Sequence, residues 1–149
     1  QLEILSASNG QIVWSPANFL SCIFCLNPIS STTQPITYEA TITDTNGCTN
    51  SDFITINFDP IIYIPNTFTP DDDSFNQVFK IIVKNVLNFE LIIFNRWGEF
   101  LYKMDAENEF WDGNYKEKSC QDDTYVWKLN YTDLYNKKHE QSGHVNILR

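Results

Sequence analysis

Apolar and polar residues alternate with a period of two along most of the chain, the pattern of half-buried strands, and helical periodicity is nearly absent. In Ile36–Thr43, Ile36, Tyr38, Ala40 and Ile42 alternate with Thr37, Glu39, Thr41 and Thr43. Asp44-Thr-Asn-Gly47 then predicts a hairpin turn, because Asn-Gly readily adopts the left-handed backbone such turns need. The return strand is expected at Asp52–Phe58, with Ile54, Ile56 and Phe58 on one face. Upstream, Ile12-Val-Trp14 reads as a short strand ended by Ser15-Pro16. Residues 15–35 form a long connection rich in Ser, Thr, Pro and Asn.

At Asp59-Pro60 the pattern restarts. Ile61–Ile64 is expected as a strand and Pro65–Phe75 as a loop, followed by Val78–Val83 with Phe79, Ile81 and Val83 facing one way. Phe89–Phe94 is a strongly apolar strand, and Asn95-Arg-Trp-Gly98 is a tight turn into Glu99–Lys103. An irregular acidic stretch leads to Trp111-Asp-Gly113. In Thr124–Thr132, Tyr125, Trp127, Leu129 and Tyr131 oppose Val126, Lys128 and Asn130, and Gly143–Leu148 is the last expected strand. Short strands separated by turns every 8–12 residues or so indicate antiparallel sandwiches. The expected fold class is all-β, with two tandem Ig-like sandwich modules at residues 1–59 and 60–149. Trp14 on an early strand with a cysteine downstream suits a small Ig-like module, shortened at its N-terminus. The chain opens at Gln1 directly in strand-like sequence and reads as a piece of something longer.

Composition narrows the function classes. The 149 residues carry a net charge of −9, and 15% of them are aromatic, which supports a packed core over disorder. Residues 1–60 contain five acids and no Lys or Arg, whereas residues 61–149 hold the other 14 acids and all 10 bases. A cation-free first half cannot collect phosphate counterions, which argues against nucleic acid and against an anionic membrane surface. No apolar run reaches the ~20 residues of a membrane helix. Of the four cysteines, Cys22-x-x-Cys25 lacks the second close pair of a zinc site and the βαβ context of a thioredoxin motif. One disulfide is expected within the first module, joining Cys48 to Cys22 or to Cys25, in an oxidising extracellular setting.

Candidate chemistry is sparse. The only histidines are His139 and His144, and no zinc-protease motif, serine elbow or Gly-rich phosphate loop occurs. The acids lie in polar turns where nothing raises a pKa for general-acid work, so no enzyme is expected. Trp97 and Trp111, beside turns, offer flat faces for a sugar, while Trp127 alternates in phase with Leu129 as core. In Thr67–Phe79 (TFTPDDDSFNQVF), Asp71, Asp73, Asn76 and Gln77 offer oxygens of the kind Ca²⁺ prefers, although the spacing is not that of an EF-hand. The competing reading is a solvated turn after Pro70.

The second module's landmarks, taken in order, resemble a known family. They are Tyr63-Ile-Pro-Asn66 with Phe68 and Pro70, then Asn95-Arg96-Trp97-Gly98-Glu99 after an apolar strand, Trp111-Asp112-Gly113, Tyr125-Val-Trp127-Lys128, and Gly143-His144-Val145-Asn146-Ile147-Leu148-Arg149. The set is similar to the gliding motility-associated C-terminal domain, the type B sorting domain of type IX secretion in Bacteroidetes. The first module resembles the PKD- or Ig-like repeats that precede such domains in large adhesins. The resemblance implies a secretion address: passage through the type IX translocon with a PorV-like shuttle, and surface attachment beside a PorP/SprF-like outer-membrane protein. It places the signal motif on the residues just named. An exposed strand edge can pair with a partner by β-augmentation, so the Gly143–Arg149 strand and the Arg96-Trp97-Gly98 turn are the candidate recognition surfaces. Where the family writes Asn-Gly-Asp-Gly-x-Asn-Asp, this chain has Asp71-Asp-Asp-Ser-Phe-Asn-Gln77. Both glycines are lost and the last carboxylate is an amide. The loop is then expected either to avoid the left-handed backbone that glycine permits or to place Asp72 in it at modest cost. The second reading is a carbohydrate-binding module using Trp97 or Trp111.

Overall fold

A computed structural model describes Leu2 and residues 10–149. The strand-like opening after Gln1 lies outside the described residues. The described residues contain no helix, and the fold is all-β. The chain divides into two compact units, Gln1–Phe58 and Asp59–Arg149.

In the first unit, β1 (Gly10–Ser15), β2 (Ile36–Asp44) and β3 (Thr49–Ile56) form an antiparallel sheet in that order. The register sets Ile12 opposite Ile42 and Trp14 opposite Ala40. Period-two alternation therefore gathers Ile12, Trp14, Tyr38 and Ala40 on one face, where they are buried with Leu2. The long connection folds back over this face: Trp14 N donates to Ile23 O at 2.9 Å and its indole Nε1 to Cys25 O at 2.9 Å. Tyr38 donates its hydroxyl to Asn18 O at 2.9 Å.

The return strand differs from expectation. It starts at Thr49 because the turn closes at once (Asp44 N to Cys48 O, 2.9 Å), and it ends at Ile56. As the sheet's edge strand it is mostly exposed, with Phe53 at 65% and Ile54 at 39%, and Ile56 is its one contact with the core.

The disulfide expectation is corrected as well. Cys22 is bonded to Cys25, with Cα atoms 5.9 Å apart, and Cys48 is free and exposed. The ladder explains why. The Cys22–Cys25 loop is pinned to Trp14, whereas Cys48 follows Asp44, which pairs with Gly10 at the far end of β1. Four strand residues span about 13 Å, well beyond the ~7 Å between Cα atoms that a disulfide tolerates.

The second unit is built on a five-stranded sheet in the order β5 (Thr67–Phe68), β12 (Lys138–Ile147), β11 (Thr124–Asp133), β7 (Val86–Phe94) and β8 (Phe100–Met104). Two small pairs accompany it: β4 (Ile61–Tyr63) with β6 (Ile82–Lys84), and β9 (Asn114–Tyr115) with β10 (Lys118–Ser119). A single bridge joins Phe79 to Trp111. One sheet face contributes Phe68, Leu91, Ile93, Met104, Leu129, Val145 and Ile147 to the core. Phe79, Ile81, Val83 and Trp111 complete that core from outside the sheet. Each such side chain removed from water stabilises the fold by roughly 1.5–3 kcal/mol.

Three hairpin turns share one device. Asp44, Asn95 and Asp133 each accept, on one side-chain oxygen, the backbone N–H groups two and four residues ahead. The residue three ahead is left-handed each time: Gly47 (φ 85°), Gly98 (φ 82°) and Asn136 (φ 62°). These residue types tolerate that backbone at least cost. In the third turn, Asp133 is 6% exposed and its second oxygen lies 2.7 Å from His139 Nε2. The His139 ring stacks on Tyr131 at 4.7 Å.

His139's hydrogen bond, followed by the Lys137 and Tyr135 N–H groups, holds the Asp133 carboxyl below its ordinary value of 3.8. The resulting stability is complete above the unfolded value and is lost as pH falls through the lower folded value. Asp133→Asn is therefore expected to melt below the wild type near pH 6. The gap should shrink as the pH is taken down past 3.8 towards 2; a gap independent of pH would contradict this assignment.

Gly143 is required by its cross-strand partner. A Cβ there would sit 2.4 Å from Trp127 Cζ2, because the indole lies across the glycine and donates Nε1 to His144 O at 3.1 Å. Gly143→Ala should displace the ring and cost about 1–3 kcal/mol, lowering Tm by about 4–8 °C for each kcal/mol in a unit this size. Thermal unfolding of the variant checks this.

Candidate functional site

The structure sorts the predicted signal residues into an exposed turn and a buried scaffold. The turn between β7 and β8 is rigidly closed. Asn95 Oδ1 accepts Trp97 N at 3.0 Å and Glu99 N at 2.9 Å, while Asn95 Nδ2 donates to Glu99 Oε2 at 3.0 Å. Tyr115 donates its hydroxyl to Glu99 Oε1 at 3.1 Å, which ties the turn to the β9–β10 hairpin. At its tip Trp97 is 76% exposed. The Arg96 guanidinium lies 4.5 Å from the Trp97 ring centroid and 3.4 Å from Asp123 Oδ2. A cleft beside the turn is lined by Trp97, Glu99, Tyr115, Lys118 and Asp123, among others. The turn thus holds a large aromatic ring in solvent on a closed backbone.

Trp111-Asp112-Gly113 is scaffold. The Trp111 ring is fully buried, edge-on to Tyr125 at 5.2 Å and tilted against Phe68 at 5.5 Å, with Nε1 donating to Asn114 O at 2.9 Å. A buried ring has no face for a sugar, so of the two tryptophans proposed for stacking only Trp97 is accessible. Gly113 (φ 80°) lies against Ile147 and Phe68, where a Cβ would approach both at 3.3 Å. Asp112 caps Asn114, taking its backbone N at 2.9 Å and its side-chain amide at 2.8 Å.

The C-terminal segment is also scaffold, and the expectation that Gly143–Arg149 offers a free strand edge is corrected. Thr67 and Phe68 pair in parallel with Asn146 and Ile147 on that edge. Asn146 N donates to Asn66 O at 2.9 Å, and Leu148 N to Phe68 O at 3.2 Å. Val145 and Ile147 are fully buried, while His144 is exposed. The edge is taken because Pro65 and Pro70 bracket an extended segment long enough for one short pairing. Arg149 then fastens two loops, the one after β5 and the one between β10 and β11. Its Nη1 donates to Cys120 O at 2.7 Å and to Asp122 Oδ1 at 3.0 Å, and its Nε to Pro70 O at 3.1 Å. Nothing in the local sequence signals that clamp, because its partners lie 27 to 79 residues away.

In the aspartate loop, Asp72 adopts φ 66° and Asn76 φ 51°. Of the two courses expected for the loop, it therefore takes the one that places Asp72 in the left-handed region. Asp71 Oδ1 and Asp73 Oδ1 both point at Gln77 Nε2, each at 2.9 Å, and Phe75 O lies 3.1 Å from the same atom. The Gln77 hydrogen bond, aided by the Asp73 N–H, lowers the Asp71 carboxyl below its ordinary range. Asn76 contributes its backbone carbonyl, which accepts Thr69 N at 2.9 Å. Among the described residues, no group of three or more His, Cys, Asp or Glu is placed to hold a metal ion. Gln77, expected as an oxygen donor, instead turns its amide nitrogen to the two carboxylates and accepts Asp72 N on its oxygen.

Nucleophilic chemistry has no support in this region. Burial raises the Cys120 thiol, and burial first of all pushes the Tyr125 hydroxyl up to about 12, so both stay protonated at neutral pH. Among the described residues, no helix is long and apolar enough to cross a membrane.

No curated protein matches the chain. Among solved structures it is similar to dimeric latent PorU from Porphyromonas gingivalis, at 9% identity and a TM-score of 0.40. That alignment covers 93% of this chain and 16% of the PorU chain. The family profile of the CHU_C type IX secretion signal domain matches residues 62–147, which span β4 to the end of β12. The chain belongs to the CHU_C type IX secretion signal domain family.

Proposed function

We propose that Asp59–Arg149 is the sorting and anchoring signal of a large surface adhesin of the kind used in gliding motility. It carries the adhesin through the type IX translocon with a PorV-like shuttle and holds it at the cell surface beside a PorP/SprF-like outer-membrane protein. The family match over residues 62–147 carries this reading, since a type IX secretion signal specifies export and engagement with that machinery. The protein is not an enzyme: its task is to be recognised, and its buried motif residues serve to hold a recognition surface in shape. That surface is the Asn95–Glu99 turn, with Trp97 as the anchor. The first unit is an Ig- or PKD-like repeat of the adhesin. Capture from outer-membrane extract of a type IX-competent cell, with the full chain as bait, is expected to enrich a shuttle or porin-like component of that machinery. Recovery of no outer-membrane protein above a charge-matched control would contradict it.

A further inference from the structure

β3 is an open strand edge, and the hydrogen bonds around its sheet fix which of its backbone groups face outward. In an antiparallel ladder, pairs that exchange backbone bonds alternate with pairs that do not. Trp14 N donates away from the sheet, to Ile23 O, so the Trp14–Ala40 pair exchanges no bonds and Ala40 turns its N–H and C=O to β3. Asp44 N, four residues on, points the same way, to Cys48 O. Tyr38, Ala40 and Ile42 therefore bond to Ile54, Asp52 and Asn50, which leaves Thr49, Ser51, Phe53 and Thr55 directed away from the sheet. Phe53 N accordingly donates to the neighbouring Asp52 Oδ1 at 2.8 Å. Among the described residues, no backbone group of another segment bonds to Thr49, Ser51 or Thr55 on that side.

Free edges are ordinarily blunted by a bulge, a lysine, a proline or short length, because an unpaired edge invites another strand. β8 has a register shift at Ile93–Phe94 and carries Lys103, β5 pairs over two residues between Pro65 and Pro70, and β1 gives Trp14 N to the connection. β3 has none of these devices: its eight residues include neither Lys nor Pro and pair with β2 without a shift. Its charge is one-sided as well. Glu39 is the cross-strand neighbour of the 65% exposed Phe53, and Asp52 lies on the opposite face. Residues 1–60 hold no Lys or Arg with which either acid could pair.

We propose that β3 is a docking edge for an extended, basic segment of a partner protein, which adds to the three-stranded sheet as a further strand. Such a segment satisfies the outward backbone groups, and its successive side chains fall on alternate faces. A Lys or Arg on one face crosses the Phe53 ring towards Glu39, and a second beside it in sequence meets Asp52 on the other. A second copy of this unit is a poorer occupant, because it brings further carboxylates and no base to the same edge. The proposal concerns the first unit alone and stands independently of the sorting signal.

Amide NMR of the isotope-labelled full chain, titrated to millimolar peptide, tests it. The probe is acetyl-Thr-Val-Thr-Lys-Lys-Thr-Val-Thr-amide. Its controls are a Glu-Glu form and a form with proline in place of both valines. The Lys-Lys peptide is expected to shift the amides of Ser51, Phe53 and Thr55 and to slow hydrogen exchange at Ser51 and Thr55. The Glu-Glu form should bind about tenfold more weakly, through loss of two opposite-charge contacts, and the proline form should cause no shift. Ser51→Pro removes one outward N–H and spares the β2 ladder, so the variant should fold and bind at least about tenfold more weakly. If it does not fold, Glu39→Gln combined with Asp52→Asn takes its place, with the same loss expected. Absence of shifts at β3, equal binding of the Glu-Glu form, or binding unchanged by these substitutions overturns the proposal. So does protection of the same amides without peptide that grows with protein concentration, which would make a second copy the occupant.

Discussion

Trp111→Ala is expected to leave the second unit barely folded at 37 °C. The ring is fully buried, touches Phe68 and Tyr125, and donates to Asn114 O, while its backbone forms both bonds of the bridge to Phe79. Truncation opens a cavity between the sheet and the segment that covers it, and substitutions of this kind cost about 3–5 kcal/mol. A unit of this size has a total stability of only about 5–14 kcal/mol. The expected fall in Tm is about 15–30 °C, read from the loss of near-ultraviolet circular dichroism on heating. A fall of under 5 °C or so would show that the tryptophan is not central to packing. Export of the variant should fail with folding, so its loss says nothing about recognition.

Trp97→Ala separates the two. The ring is 76% exposed and the turn beneath it is closed by Asn95, Gly98 and Glu99, none of which depends on the indole. Its removal gives up only the contact with Arg96, worth about 0.5–1 kcal/mol at an exposed site, and Tm should fall by less than roughly 8 °C. Recognition should suffer far more. A central aromatic anchor typically contributes 2 kcal/mol or more, which corresponds to a loss of about 30-fold in affinity for the outer-membrane partner. Quantified capture from membrane extract, beside a melting curve, checks both halves. Unchanged capture would move the recognition surface elsewhere on the unit.

The strands with apolar alternation were legible from sequence because one face of each is buried. Ile36–Thr43, Phe89–Phe94 and Thr124–Thr132 all lie within observed strands. The turns at Asp44 and Asn95 were legible because an Asx residue followed three positions later by glycine leaves the backbone few alternatives. What failed was non-local. β12 begins at Lys138, five residues before the predicted strand, since its first half faces His139 to Tyr131 and Gly143 to Trp127 and shows no apolar period. Thr67-Phe68 pairs in parallel with a strand about 80 residues away, and a two-residue pairing leaves no periodic trace. The disulfide depends on which end of β1 each loop reaches. The Cys22–Cys25 spacing shows neither that nor the fate of Cys48. Which of the motif residues are buried and which exposed was not legible. Trp111, Gly113, Val145 and Ile147 build the scaffold while Trp97 is displayed, because burial depends on packing partners distant in sequence.

The central claim, that Asp59–Arg149 is a secretion address, is tested most directly by fusing those residues to the C-terminus of a periplasmic fluorescent reporter. The fusion is expressed in a host with a working type IX system and in the same host lacking the translocon. The account predicts reporter on the cell surface or in the medium of the first strain and retention in the periplasm of the second. Periplasmic retention of the folded fusion in both strains would contradict it.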